Sequence, residues 1–342
     1  MLKKIKNFIK NFFSFPILVL GFLYFIIKSK TPAFIYQSYV RSYCVSNGRI
    51  RGFLSFFLKK KIIKKFSINS SKIFNNNVNF SKIDYELKNK GYYIFEEKLN
   101  EEIVNNFYNF SLNTKCFGYD DKKIYFNEYY KVNKSKRSSK YALPENEVLN
   151  FKETQELILD PVFINIAQNY FNNQPCLSAA DMWWSPARNV KINEEIEKNN
   201  SSAQLYHFDL DRIMWLKLFI YLTDTNDEND GPHEYVEATN KVGSKSKELL
   251  NLGYNRIPED LIGKFYSDSL IKRIFGKKGT MFIADTSCYH RGLPPVQNDR
   301  LMLVIEYSNS LFGSSYDKIK VKNNILLNSP LLNTNNKIYL DL

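Results

Sequence analysis

A chain of 342 residues with 44% hydrophobic content can bury a sizeable core, which excludes general disorder. Its net charge of +13 suggests nucleic acid only until the charge is located: residues 1–65 hold eleven Lys, three Arg and no acid, a local +14 that leaves the remainder at −1. A neutral main body lacks the cationic surface that nucleic-acid affinity requires, and four scattered cysteines without a CxxC pair exclude a zinc ribbon or a dense disulfide framework.

In chain order, the first feature is a charge-free run of seventeen residues, Asn11 to Ile27, with lysines on both sides. It is at the lower limit for a membrane span, and Pro16 and Gly21 weaken that reading further. Three arrangements satisfy it: an interfacial or re-entrant anchor, a true span, or a helix buried against the protein's own domain. Phe56 to Phe66 then interleaves five lysines with apolar residues, as a segment lying on an anionic bilayer or as a solvated helix. Residues 67–83, rich in Ser and Asn, read as a linker, dividing a basic and hydrophobic segment (1–70) from the main domain (71–342).

Beyond the linker, Tyr85 to Gly91 reads as helix, Tyr92 to Phe95 as a short strand, and Asn100 with Glu101 and Glu102 as a capped helix start. Asp160 to Phe171 has helical spacing. Strands follow at Met182 to Trp184, Ile213 to Leu222, Thr280 to Ala284 and Leu301 to Tyr307. Helices first and strands later predict an α+β fold, mainly β, with a sandwich or small barrel flanked by helices. Along Ile213 to Leu222 the even positions are apolar and the odd ones mix Trp215, Lys217, Phe219 and Tyr221; an inward odd face would bring Lys217 to an anionic ligand. Trp183 and Trp184 read as core.

Only three histidines occur, His207, His233 and His290, all in the strand-rich half. On extended backbone His207 and Asp209 point the same way, so an imidazole and a carboxylate converge, and His290 can complete the set. Two histidines and one carboxylate on one face of an octahedron, with the other positions open, suit Fe(II) that must also take a co-substrate and dioxygen. Arg300 opens the Leu301 strand and can pair bidentately with a carboxylate inside a barrel. His233, just after Gly231-Pro232, reads first as a turn residue near the rim and second as a substrate contact. A cupin-type barrel with another metal or none, acting as a binding protein, stays open on these residues alone, as does a membrane-tethered interaction protein.

The sequence resembles the phytanoyl-CoA dioxygenase-like branch of the Fe(II)- and 2-oxoglutarate-dependent oxygenases. The likeness runs from Asn89-Lys90-Gly91-Tyr92-Tyr93-Ile94 through Tyr206-His207-Phe208-Asp209, Tyr221-Leu222-Thr223-Asp224 and Gly231-Pro232-His233 to His290-Arg291-Gly292 and Arg300. It departs where Ala238-Thr239-Asn240 stands in place of the family's Gly-Ser-His turn. The resemblance implies a double-stranded β-helix (jelly-roll, cupin-like) core, iron on His207, Asp209 and His290, the distal carboxylate of 2-oxoglutarate on Arg300, and Tyr221 beside the co-substrate. It also implies hydroxylation of a small-molecule or lipid-like substrate with release of succinate and CO2, since Asp209 occupies the position that related halogenases leave to a small residue. Fe(II) and 2-oxoglutarate are supplied in the cytosol, so the expected location is cytoplasmic, peripheral on a membrane face through residues 1–66.

Overall fold

The computed structural model describes residues 2–58, 67, 71–74, 78–118, 122–132, 137–187, 204–322, 325–329 and 339–341, with the side chains of 2–12, 327 and 328 excepted. Helix α1 (Leu2–Lys28) covers the charge-free run, followed by α2 (Ala33–Ser46) and α3 (Arg49–Phe56). One face of α1 buries Leu18, Phe22 and Phe25, with Phe22 and Phe25 meeting Phe312 edge-on at 5.3 and 5.4 Å. Gly21 permits the close crossing of α1 on α2, because a Cβ there would lie 2.3 Å from Ile35. No helix among the described residues is long and apolar enough to cross a membrane, so the spanning arrangement is set aside. The lysines from Lys59 to Lys65, and residues 68–70 and 75–77 of the expected linker, lie outside the described residues, while residues 80–83 of that linker are helical.

The helices of the main body start where their caps permit. In α4 (Phe80–Asn89) the Asn79 side chain accepts from Lys82 N–H. After β1 (Tyr92–Lys98), α5 (Glu101–Asn113) is capped by Asn100, which accepts from Glu102 N–H at 2.7 Å. Short strands β2 (Cys116–Phe117), β3 (Lys123–Ile124) and β4 (Tyr141–Ala142) precede α6 (Glu145–Asn150) and α7 (Lys152–Ile158). Helix α8 (Pro161–Phe171) has Asp160 as N-cap, proline in its first turn and a left-handed Asn172 at its end.

The predicted strands appear as β5 (Cys176–Ser185), β6 (Trp215–Tyr221), β9 (Thr280–Ala284) and β11 (Arg300–Ser308). Three shorter strands are added between them: β7 (His233–Val236), β8 (Ile271–Ile274) and β10 (His290–Gly292). The architecture is mixed, with helices packed on antiparallel sheets, and helix outweighs strand among the described residues. The "mainly β" expectation is corrected here, because the N-terminal segment and the layer behind the sheet are both helical.

An eight-stranded antiparallel sheet runs in the order β1-β9-β6-β11-β5-β4-β2-β3, and a three-stranded sheet in the order β10-β7-β8. Strand alternation divides the interior in two. Leu301, Leu303, Ile305 and Tyr307 of β11 face the helices, where the Tyr307 hydroxyl donates to Ile158 O at 2.9 Å. Met302 and Val304 face the smaller sheet and join Phe219, Tyr221, Tyr235 and Phe282 in a second core. The inward odd face of β6 therefore carries Lys217, Phe219 and Tyr221 into the space between the sheets.

Candidate metal centre

His207 lies on extended backbone bridged to β10. Its N–H donates to His290 O at 3.0 Å and its carbonyl accepts from His290 N–H at 2.8 Å. This bridge brings residues 83 positions apart together, with ring centroids 4.3 Å apart. Two residues on, Asp209 N–H donates to Thr286 O at 2.8 Å, so the i, i+2 alternation survives although no long strand forms. Phe208 points the other way and stacks on Tyr43 of α2 at 5.5 Å.

The result is convergence. His207 Nε2 is 3.7 Å from Asp209 Oδ1, and His290 Nε2 is 3.6 Å from Asp209 Oδ2. One donor atom from each residue lies within 4.8 Å of the others, and among the described residues this is the one group of such side chains able to hold a metal. Each imidazole is oriented from behind: Nδ1 of His207 lies 2.9 Å from Leu205 O, and Nδ1 of His290 lies 3.0 Å from Cys288 O. A carbonyl cannot donate, so both Nδ1 atoms carry the proton and both Nε2 lone pairs face Asp209.

Electrostatics prepare the same donor set. Burial, then the neighbouring His290 and Arg256, hold the His207 pKa well below its ordinary value, and burial lowers that of His290 against the pull of Asp209. Burial would raise the Asp209 pKa, but Lys217, the largest opposing influence, helps hold the carboxyl well below the usual range. Two neutral imidazoles and a carboxylate are the protonation states a metal requires. Nitrogen and oxygen donors without thiolate, on one side of an open cavity, fit Fe(II) better than a closed tetrahedral zinc site.

Lys217 meets the protein's own acids. Its Nζ is 2.8 Å from Asp209 Oδ2, 2.9 Å from Asp211 Oδ2 and 3.4 Å from Glu306 Oε2. Burial pushes the Glu306 carboxyl up to about 7 despite the nearby ammonium.

A cavity of about 390 Å³ opens over the three ligands. Arg300 reaches its wall from the first position of β11. Its hydrogen bonds are long, Nη1 to Leu293 O at 3.3 Å and Nη2 to Ser185 Oγ at 3.4 Å, and Nε has no partner. Burial lowers its pKa with only Tyr221 opposing, a sign that no carboxylate among the described residues sits beside it. Gly292 makes room for it, since a Cβ there would lie 3.2 Å from Nη2.

The chain is similar to HygX. That solved structure, from Streptomyces hygroscopicus with nickel and 2-oxoglutarate bound, matches at a TM-score of 0.49 and 14% identity over 71% of this chain and 91% of that one. AviO1 from Streptomyces viridochromogenes Tue57 matches at 0.42 and 13% identity over 68% and 96% of the two chains. The non-heme alpha ketoglutarate dependent epimerase SnoN from nogalamycin biosynthesis matches at 0.44 and 12% identity over 67% and 83%. No family model matches the sequence, and no curated protein does. Overlaps of this size leave the assignment to the residues themselves.

Three residues are placed differently from expectation. The Tyr221 hydroxyl donates to Ile274 O at 2.9 Å and accepts from His233 N–H at 2.9 Å, so this phenol stands behind the cavity wall rather than in it. His233 is no rim residue: it opens β7, is buried, and lines the cavity. Trp183, expected in the core, also lines the cavity, with Lys140 Nζ 4.3 Å from its ring centre. Lys140, Asp211 and Glu306 carry no local pattern in the sequence that marks them, because the tertiary fold brings them to the site.

Proposed function

We propose that this chain is an Fe(II)- and 2-oxoglutarate-dependent dioxygenase of the phytanoyl-CoA dioxygenase-like kind, built on a double-stranded β-helix core. It hydroxylates a small-molecule or lipid-like substrate with release of succinate and CO2. One observation carries the reading: two neutral imidazoles and a carboxylate converge in a cavity whose wall also holds a buried guanidinium with no carboxylate partner among the described residues. His207, Asp209 and His290 would hold the ion, and Arg300 would pair with the distal carboxylate of 2-oxoglutarate. When bound, iron and co-substrate supply the power to cleave dioxygen and oxidise an unactivated carbon. The chain's own part is positional: carbonyls fix the imidazoles, Lys217 holds Asp209, and the rings of Phe219 and Phe282 help keep water from the inner wall.

Anaerobic addition of Fe(II) and then 2-oxoglutarate should give the weak visible charge-transfer band of the chelate in wild type and none in His207→Ala. Metal uptake without that band would indicate a cupin-type barrel with another role.

The N-terminal helices support a second element, peripheral attachment to an anionic membrane surface at the cytoplasmic face. With one side of α1 docked, the other leaves Leu20 68% and Ile27 75% exposed, and Phe34 and Phe56 are exposed at 61% and 77%. The surrounding segment carries fourteen cations and no acid, as an interfacial helix on anionic lipid requires. Full-length protein should float with vesicles containing phosphatidylserine and stay bound at moderate salt, whereas Leu20→Glu with Ile27→Glu should release it. Unchanged flotation of that variant would remove this element.

A further inference from the structure

His233 is 6% exposed, yet neither ring nitrogen has a hydrogen-bond partner. An imidazole buried without a partner is costly, so its place needs a reason. The ring is held among four others, with centroids 4.7 Å from Phe219, 5.3 Å from Tyr235, 5.7 Å from Phe282 and 5.8 Å from His290. Its backbone is fixed as well, because its N–H donates to the Tyr221 hydroxyl. The imidazole is therefore rigid, and it faces the cavity.

Its neighbour across the small sheet is Gly292, the residue whose missing Cβ lets the Arg300 guanidinium pass. Arg300 Nε is likewise without a partner. A buried guanidinium whose Nε has no partner and a buried imidazole with neither nitrogen paired thus line the same wall beyond the metal ligands. An acceptor with two oxygens would answer both.

Resting on the oxygenase reading, we propose that His233 is a second ligand for the distal carboxylate of 2-oxoglutarate. One ring N–H donates to one oxygen while Arg300 takes the other, so the pair selects a 2-oxo diacid over 2-oxo acids with an apolar end. Tyr221 is then a positioning residue, acting on the co-substrate through the backbone of His233.

The test uses full-length Fe(II) protein under anaerobic conditions, titrated with 2-oxoglutarate and separately with 2-oxopentanoate, which keeps the chelating end and lacks the far carboxylate. His233→Phe should weaken 2-oxoglutarate binding about tenfold, the scale of one lost hydrogen bond to a charged group, while leaving 2-oxopentanoate and Fe(II) binding unchanged. His233→Gln, which restores a donor, should recover part of the loss and decides the matter if the Phe variant does not fold. Equal weakening for both acids, or none for either, overturns the proposal while the oxygenase reading stands. Absence of the charge-transfer band in wild type would overturn both.

Discussion

Arg51 and Arg300 are both buried, at 8% and 5% exposure, and their surroundings differ in kind. Arg51, from α3, donates through Nε to Ile213 O at 2.9 Å, through Nη1 to Ser287 Oγ at 2.7 Å and through Nη2 to Asp285 at 3.2 Å. The Tyr170 hydroxyl donates to the same carboxylate at 2.6 Å. Burial lowers the Arg51 pKa, but Asp285 and nearby tyrosines outweigh it and the net shift is upward. Arg300 shifts the other way, with a partnerless Nε and no acid beside it. A buried charge closed on the protein's own groups fixes architecture, here tying the N-terminal helices to β9. One left open toward a cavity is suited to binding an anion.

The sharpest way to break this contrast is Arg51→Met. It leaves Asp285 buried without a counter-charge, and a loss of about 3–5 kcal/mol is expected in chemical denaturation at neutral pH. The sign with pH follows from Asp285. Burial raises its pKa, but Arg51, Tyr170 and Ser287 bring it below the ordinary 3.8, so its contribution is present above that value and fades as pH falls through the lower folded value. In the variant burial dominates, the folded pKa rises, and that carboxylate instead destabilises as pH increases. The gap between wild type and Arg51→Met should therefore narrow on acidification below about pH 5. A constant gap would show that the pair is not electrostatic in its effect.

Arg300→Met should do the reverse. Removing a buried cation that has no counter-charge among the described residues is expected to change stability by less than about 1 kcal/mol. Affinity for 2-oxoglutarate should fall about 100-fold, within the range for losing one side of a buried charge pair. Wild-type 2-oxoglutarate affinity in this variant would sink the reading of Arg300 as an anion site, whatever happened to stability.

What could be read beforehand depended on the range of the forces involved. His207, Asp209 and His290 stood out because a chain with three histidines places one two residues from an acid, and extended backbone does the rest. Arg300 was readable from its place at the head of an apolar strand. His233 reads first as a turn residue and only second as a substrate contact, because Gly231-Pro232 signals a turn and the strand after it is only four residues long. Arg51 and Asp285 lie 234 positions apart with no local pattern to link them. The run Asn11 to Ile27 of α1 lacks charge for a reason the sequence does not divide: part of that apolar surface belongs to Phe312 and α2, and part faces outward.

Lys217 tests the boundary between the two kinds of buried cation, since it lines the cavity yet is already paired. If its role is to balance Asp209, Asp211 and Glu306, Lys217→Met should destabilise the metal-free protein by about 2 kcal/mol. That is less than for Arg51, because 30% of the Asp211 side chain is exposed and water can enter. Fe(II) should then raise the melting temperature of the variant more than that of wild type, because a divalent ion on Asp209 restores positive charge where the ammonium was lost. A lysine that instead bound the anionic co-substrate would leave metal-free stability intact and lower 2-oxoglutarate affinity. Melting curves with and without Fe(II), taken beside a 2-oxoglutarate titration, separate the two, and the three carboxylates within 3.4 Å of Nζ favour the first.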